Sequence, residues 1–366
     1  MIIHKKGEDA YFAASNSAEG FCSYYPRCFD AERIQRVYAV KGGPGTGKSF
    51  FLRAVAEAGE ALGWDCEYIY CSSDPDSLDG VILTGEGHCV ALADATAPHV
   101  YEPSLPGARE EIVDLGAFWD CKKLEARTEE IRRCNLEKSK AYQRAYRFLR
   151  SVGETARAID EQMLPYIKKD AIVRFAEKQM RGIPEGEGYR IAPALIASVG
   201  MKGWVCLDSY AANADRVVWI KDYHGTAQHM MQALGELAVQ KRLSVRISHD
   251  PICPEKTDGL FLCESKTAFL ILHEERKKTE EKAVDMRRFA ETARMQSVRR
   301  TVRNLERMRE AMLASALDEM ARVREWHFQL EAIYSAAMDF AKKEAFTKSF
   351  CEKLFHLPKD ETCDTI

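Results

Sequence analysis

Eight consecutive residues have the types and spacing to hold a phosphate: Gly42, Gly43, Pro44, Gly45, Thr46, Gly47, Lys48 and Ser49. They fit G-x-x-x-x-G-K-[ST], a turn in which backbone N–H groups cradle phosphate oxygens. Gly42, Gly45 and Gly47 let the backbone close on an anion with no Cβ in the way. Lys48 supplies a point charge for the β- and γ-phosphates, and the Ser49 hydroxyl is a hard oxygen ligand for Mg²⁺. The expected binding stretch runs from Gly42 to Phe50, with Lys48 as its charge-stabilising member.

A metal on this turn needs a carboxylate at a strand end. Asp94 closes the apolar run Val90-Ala91-Leu92-Ala93 and is the expected partner, so Ser49 and Asp94 form the predicted Mg²⁺ pair and Lys48 and Asp94 the predicted catalytic pair. Asp74 and Asp79 are the alternatives. The residue after Asp94 is Ala95, where many ATPases of this kind carry a water-polarising Glu, so rapid hydrolysis is not expected. Glu86, His99 and Glu102 are the candidate bases. Arg109 is a candidate charge-neutralising finger or, more simply, a surface arginine beside the Pro106-Gly107 turn.

The flanking elements suit the motif. Val37-Tyr38-Ala39-Val40 reads as a buried strand, and residues 50–58 read as a helix. Strand, glycine turn and helix aim amides and a helix N-terminus at one point. Residues 66–71 and 88–94 read as further strands. Strands alternating with helices predict an α/β fold with a parallel sheet in three αβα layers, with ligands at the carboxyl ends of the strands.

The pattern recurs 180 positions later. Arg36, Val37, Lys41, Gly45 and Thr46 return as Arg216, Val217, Lys221, Gly225 and Thr226. Asp74-Pro75 returns as Asp250-Pro251, and Asp79-Gly80 as Asp258-Gly259. Val113-Asp114 through Phe118 returns as Val284-Asp285 through Phe289. Two copies of one unit are therefore expected. The second has lost the chemistry: Ala227-Gln228-His229 stands for Gly47-Lys48-Ser49, and Asp222-Tyr223 for Gly42-Gly43. A carboxylate at 222 repels a polyphosphate, so this site is expected to be empty or to hold something else. His224 and His229 read as solvent-facing loop residues.

Each core is followed by a helical stretch. The expected division is a core at 1–118, an arm at 119–182, a degenerate core at 190–275 and an arm at 276–357. Tyr142, Tyr146 and Leu149 share a helical face, and Val298, Val302, Leu305 and Met312 recur at coiled-coil-like spacing. Residues 276–310 carry twelve Lys/Arg against six Asp/Glu, read as a basic helix whose commonest use is a solvated face. Nucleic acid is a partner the stretch permits without favouring it.

Bulk properties narrow the class. The 366 residues exceed one ordinary domain, and 46% hydrophobic content supports a packed core. A net charge of −3 gives no general affinity for nucleic acid or anionic lipid. The sequence contains neither a membrane-spanning apolar run nor the apolar core of a signal peptide. Twelve cysteines without a C-x-x-C pair read as reduced thiols of a cytoplasmic protein, and their spacing does not suggest zinc.

The blocks Lys41–Ser49, Asp74–Gly80, Asp94–His99 and Pro106–Ala108, in that order, resemble an uncharacterised bacterial family with two P-loop ATPase-like modules per chain. The resemblance covers nearly the whole length and departs at 222–229, where the family keeps a second intact loop. It implies an ATP- and Mg²⁺-binding protein, often labelled ATPase or nucleotide kinase. The guanine-reading N-K-x-D sequence is not present, which favours ATP over GTP. The expected function is a slow or regulated ATPase. The alternatives are a phosphotransferase with an unknown small-molecule or nucleotide acceptor, and a nucleotide-gated binding module that engages nucleic acid through the basic helix; a small-molecule or protein partner is expected.

Overall fold

The computed structural model describes residues 2–3, 9–30, 33–99, 101–273 and 283–355. The longer helices are α1 (Lys48–Ala61), α2 (Thr128–Met163), α3 (Lys169–Met180), α4 (Ala227–Gln240), α5 (Arg299–Ser335) and α6 (Phe340–Phe355). The chain divides into two compact units. One, here the N-core unit, comprises Phe29–Cys71, Asp76–Lys138 and Arg324–Ile366; the other, the C-core unit, comprises Met1–Cys28, Ser72–Pro75 and Ser139–Val323.

The N-core sheet contains β1 (Arg36–Lys41), β2 (Asp65–Tyr70), β3 (Leu78–Gly85), β4 (His88–Asp94) and β5 (Glu110–Asp114), ordered β2-β3-β4-β1-β5. Val37, Ala39 and Val40 on β1 are fully buried, as its apolar run requires. β1 is parallel to β4 and β5, whereas β3 is antiparallel to β2 and β4. The expectation of a parallel sheet is thus corrected to a mixed one. The cause is local. Glu86 and Gly87 both have positive φ, 50° and 82°, the conformation of a two-residue hairpin turn. That turn folds β3 onto β4, so a strand stands where the sequence reading had none.

The C-core sheet contains β6 (Arg190–Pro193), β7 (Arg216–Lys221), β8 (Ser244–His249), β9 (Thr257–Leu262), β10 (Thr267–Ile271) and β11 (Val284–Asp285). Its order is β6-β8-β9-β10-β7-β11. From β8 onward this is the N-core order with the same parallel and antiparallel senses. In both copies the helix after the central strand packs on the antiparallel strand: α1 on β3, α4 on β9. Two copies of one mixed α/β plan are therefore present.

The helical arms do not stay with the cores that precede them in sequence. α2 passes from the N-core unit to the C-core unit at Lys138, and α5 makes the reverse passage at Val323. α3 then packs on α4 of the C-core, with Ile172, Ala176 and Met180 in a cluster with Met230, Met231 and Leu234. α6 packs on α1 of the N-core, where Phe346 and Phe350 meet the buried Phe51 ring at 6.0 and 5.1 Å. The four consecutive segments expected from sequence are thus interleaved in the compact units.

Part of the basic stretch, 276–282, and the tail after Leu357 lie outside the described residues. The remainder of 276–310 is not one helix. It holds β11 and the 3-10 turns Met286–Phe289 and Arg294–Ser297 before α5 begins at Arg299. Val298, Val302 and Leu305 pack with Ile159 and Met163 of α2, so their periodicity serves a local core. No described helix is long and apolar enough to cross a membrane. Because Phe51 is fully buried between α1 and α6, Phe51→Ala should lower unfolding free energy by about 3–5 kcal/mol; urea denaturation measures it, and a loss under about 1 kcal/mol would contradict this packing.

Candidate functional site

The turn from Gly42 to Ser49 lies at the carboxyl end of β1. Gly45 and Gly47 adopt left-handed φ of 72° and 77°, and Gly47 is the N-cap of α1. Glycine at 45 is needed twice over, because a Cβ there would stand 2.5 Å from the Glu331 carbonyl oxygen and 2.6 Å from Ser335 Oγ. The Ser335 hydroxyl donates to the Gly45 carbonyl at 3.1 Å. Thr46 is buried, and its hydroxyl donates to the Gly43 carbonyl at 2.9 Å, pinning the turn. Lys343 of α6 is 7% exposed, with Nζ 3.3 Å from where a Gly47 Cβ would be. The end of α5 and the start of α6 therefore wall the turn.

Lys48 folds over the turn, its ammonium donating to the carbonyls of Gly42 and Gly43 at 2.7 and 2.9 Å. It lies 3.6 Å from Asp94 Oδ2. Asp94 ends β4 directly beside Val40 of β1, as its position in the register requires. Its Oδ1 accepts from the Thr96 amide at 2.8 Å, and the Thr96 hydroxyl donates to the Gly42 carbonyl at 2.7 Å. Burial pushes the Asp94 carboxyl above its ordinary value; Lys48 opposes that push and Asp79 adds to it. Ser49 Oγ accepts from the Leu78 amide at 2.9 Å. Pro44 is half-buried and Phe50 is 78% exposed.

The remaining candidates separate on position. Asp79, the second residue of β3, meets His99 Nε2 at 2.9 Å, both side chains buried. Burial is the largest single influence and disfavours the charged imidazole, but the charge and hydrogen bond of Asp79, with the Asp94 charge added, together raise His99 above its usual value. Cys71 joins this pair, the three ligand atoms lying within 4.8 Å of one another. The cysteine spacing gave no sign of that cluster, because the fold assembles it from three separate stretches. Asp74 instead pairs with Lys202 at 3.5 Å. Glu86 sits in the β3–β4 turn, a strand's length of about 20 Å or more from the Asp94 end. Glu102 is largely exposed and pairs with Lys41 at 3.4 Å. Arg109 is neither a finger nor a surface residue: it binds Glu110 at 2.6 Å and donates to the carbonyls of Ile34 and Phe29.

The second copy keeps the turn with different side chains. Gly225 has φ 81°, and the Thr226 hydroxyl donates to the Tyr223 carbonyl at 2.8 Å, as Thr46 does to Gly43. The Asp222 carboxylate accepts from the amides of Gly225 and Ala227, both at 2.8 Å, so these turn amides meet an internal anion. Gln228 exchanges two hydrogen bonds with the Thr257 backbone at 2.8 and 2.9 Å. Ile271 stands at the register position of Asp94. His224 and His229 are not solvent-facing loop residues: both are half-buried, His229 lies in α4, and His224 Nδ1 meets Glu306 at 2.6 Å.

No protein-family model matches the chain, and neither a curated protein nor a solved structure matches it.

Thr96 and the Asp79–His99 pair were missed as a constellation. Their one sequence signal is the recurrence of Asp79-Gly80 as Asp258-Gly259, which also places Asp258 2.7 Å from a histidine, His273. Since Asp79 raises His99, the pair's stabilisation is complete below the ordinary imidazole value and is lost as pH rises through the raised folded value. The wild-type advantage in Tm over Asp79→Asn should therefore shrink on going from pH 6 to pH 9, by about 2 °C or more; an advantage that grows with pH would refute the assignment.

Proposed function

We propose that the first copy binds ATP with Mg²⁺ and acts as a slow ATPase. The observation that supports this most directly is the contrast between the two turns. In one, glycines and Lys48 line the carboxyl end of β1 beside Asp94; in the other, Asp222 caps the same amides. A turn that needs an internal anion when its lysine is gone is a turn built around an anion. The donor set suits the metal: Ser49 and Asp94 offer hydroxyl and carboxylate oxygens, which Mg²⁺ prefers. Those two residues would hold it, and the ion would neutralise charge on the β- and γ-phosphates. Lys48 contributes the fixed ammonium, and Thr96 holds Asp94 and the Gly42 carbonyl in place.

A phosphotransferase is the second reading, and the Asp79–His99 pair favours it. A ring oriented by a carboxylate can take a proton from a hydroxyl nucleophile, while the position after Asp94 is the buried, apolar Ala95. The two readings separate on whether phosphate release occurs without an acceptor. In the second, turnover rises with pH as His99 loses its proton.

Calorimetric titration with ATP and Mg²⁺ tests the site. Lys48→Ala should weaken binding at least about tenfold, roughly 1.4 kcal/mol, while Gln228→Ala leaves it unchanged; equal losses from both would overturn the assignment of the working copy. Asp94→Asn should weaken binding in Mg²⁺ more than in EDTA, and an equal loss in both would move the metal role to Asp79.

A further inference from the structure

The C-core unit holds a cavity of about 640 Å³ against the capped turn, lined by Asp222, Gln228, Asp250, Asp258, Ile271 and His273 among others. Its volume suits a small organic ligand. The charges on its wall are unevenly satisfied. Lys256 is paired with Asp160 at 2.5 Å, Lys221 with Asp285 at 3.8 Å and His224 with Glu306 at 2.6 Å. Arg309 lies one helical turn beyond Glu306 and helps hold that carboxyl below its ordinary value, after the His224 hydrogen bond.

The acids at the sheet end are different. Asp258 is 2% exposed, its Oδ1 meets His273 Nε2 at 2.7 Å, and its Oδ2 has no hydrogen-bond partner among the described residues. Asp250 uses Oδ1 to accept from the amides of Ile252 and Cys253. In the first copy the corresponding end of the sheet carries the Lys48 ammonium; here that residue is Gln228, turned onto the Thr257 backbone. A buried carboxylate oxygen without a donor is unfavourable, so this wall favours N–H donors and positive charge. The lining also includes the apolar side chains of Val152, Ile252 and Leu313.

We propose that this cavity binds a small organic cation, a protonated amine with an apolar body, whose ammonium takes the electrostatic place that Lys48 holds in the first copy, next to Asp258 and Asp250. The second copy is then an amine-binding site and not a vestige. It does not depend on the nucleotide reading, because Asp222 already satisfies the turn amides and leaves the carboxylates as the recognition groups.

Thermal unfolding of the full chain with agmatine, spermidine and phenethylamine, against 2-phenylethanol as the uncharged partner, tests this. At about 5 mM, at least one amine should raise Tm by about 2–4 °C, with 2-phenylethanol giving no rise. The response should persist in Lys48→Ala and vanish in Asp258→Asn. Gln228→Lys, which tethers an ammonium at the cavity wall, should also abolish it and serves if Asp258→Asn does not fold. No rise with any of the three amines, an equal rise with 2-phenylethanol, or a rise that survives both Asp258→Asn and Gln228→Lys would overturn the proposal. ATP titration of the same sample reads the first copy separately, so either site can fail alone.

Discussion

Backbone amides at the head of a helix must be given an acceptor, and the two halves of this protein answer that demand differently. At the N-core turn, Gly45 and Gly47 hold left-handed conformations while Lys48 folds onto the carbonyls of Gly42 and Gly43. At the C-core turn, Asp222 spans the amides of Gly225 and Ala227. The turn is the same shape because Thr46 and Thr226 tie it in the same way. What differs is the sign of the side chain brought to it. The Lys48 ammonium cannot accept from the amides of its turn; the Asp222 carboxylate does.

The rest of each core is arranged so that this turn is rigid. Its strand is flanked by parallel neighbours on both sides, and the following helix rests on the antiparallel strand. In the N-core the wall is completed by the Glu331 carbonyl and Ser335, and in the C-core by Asp160, whose Oδ1 would lie 2.2 Å from a Cβ on Gly225. Both glycines are therefore required by an approaching helix as well as by their own φ. The presence of Gly225 in a copy that carries Gln228 at the lysine position follows from packing and needs no ligand.

Much of this was legible in the sequence, because it is local. The glycine turn, the β1 strand, the α1 helix and the position of Asp94 follow from residue type and period. The repeat showed in five identities at a constant shift, and strand order confirms it at the level of the fold. The β3 strand was missed because Leu78–Gly85 begins with turn-like residues, and its evidence as a strand is the pairing made by the Glu86-Gly87 turn. The Asp79–His99 pair was missed because it joins residues twenty positions apart. Arg109 was misread because its partners, the carbonyls of Phe29 and Ile34, are invisible to any pattern of side chains. The interleaving of the arms was illegible for the same reason: amphipathic helices announce that they will be covered, not by which core.

That interleaving has a historical corollary. A half-length chain of this plan would carry a core lacking the helix that covers its first helix, together with a helix matched to a core it does not own. Two such chains could complete each other only by trading those helices, as swapped dimers do. Joined end to end, they give one polypeptide in which the trade has become permanent, and either turn is then free to change its chemistry while the other keeps the older one.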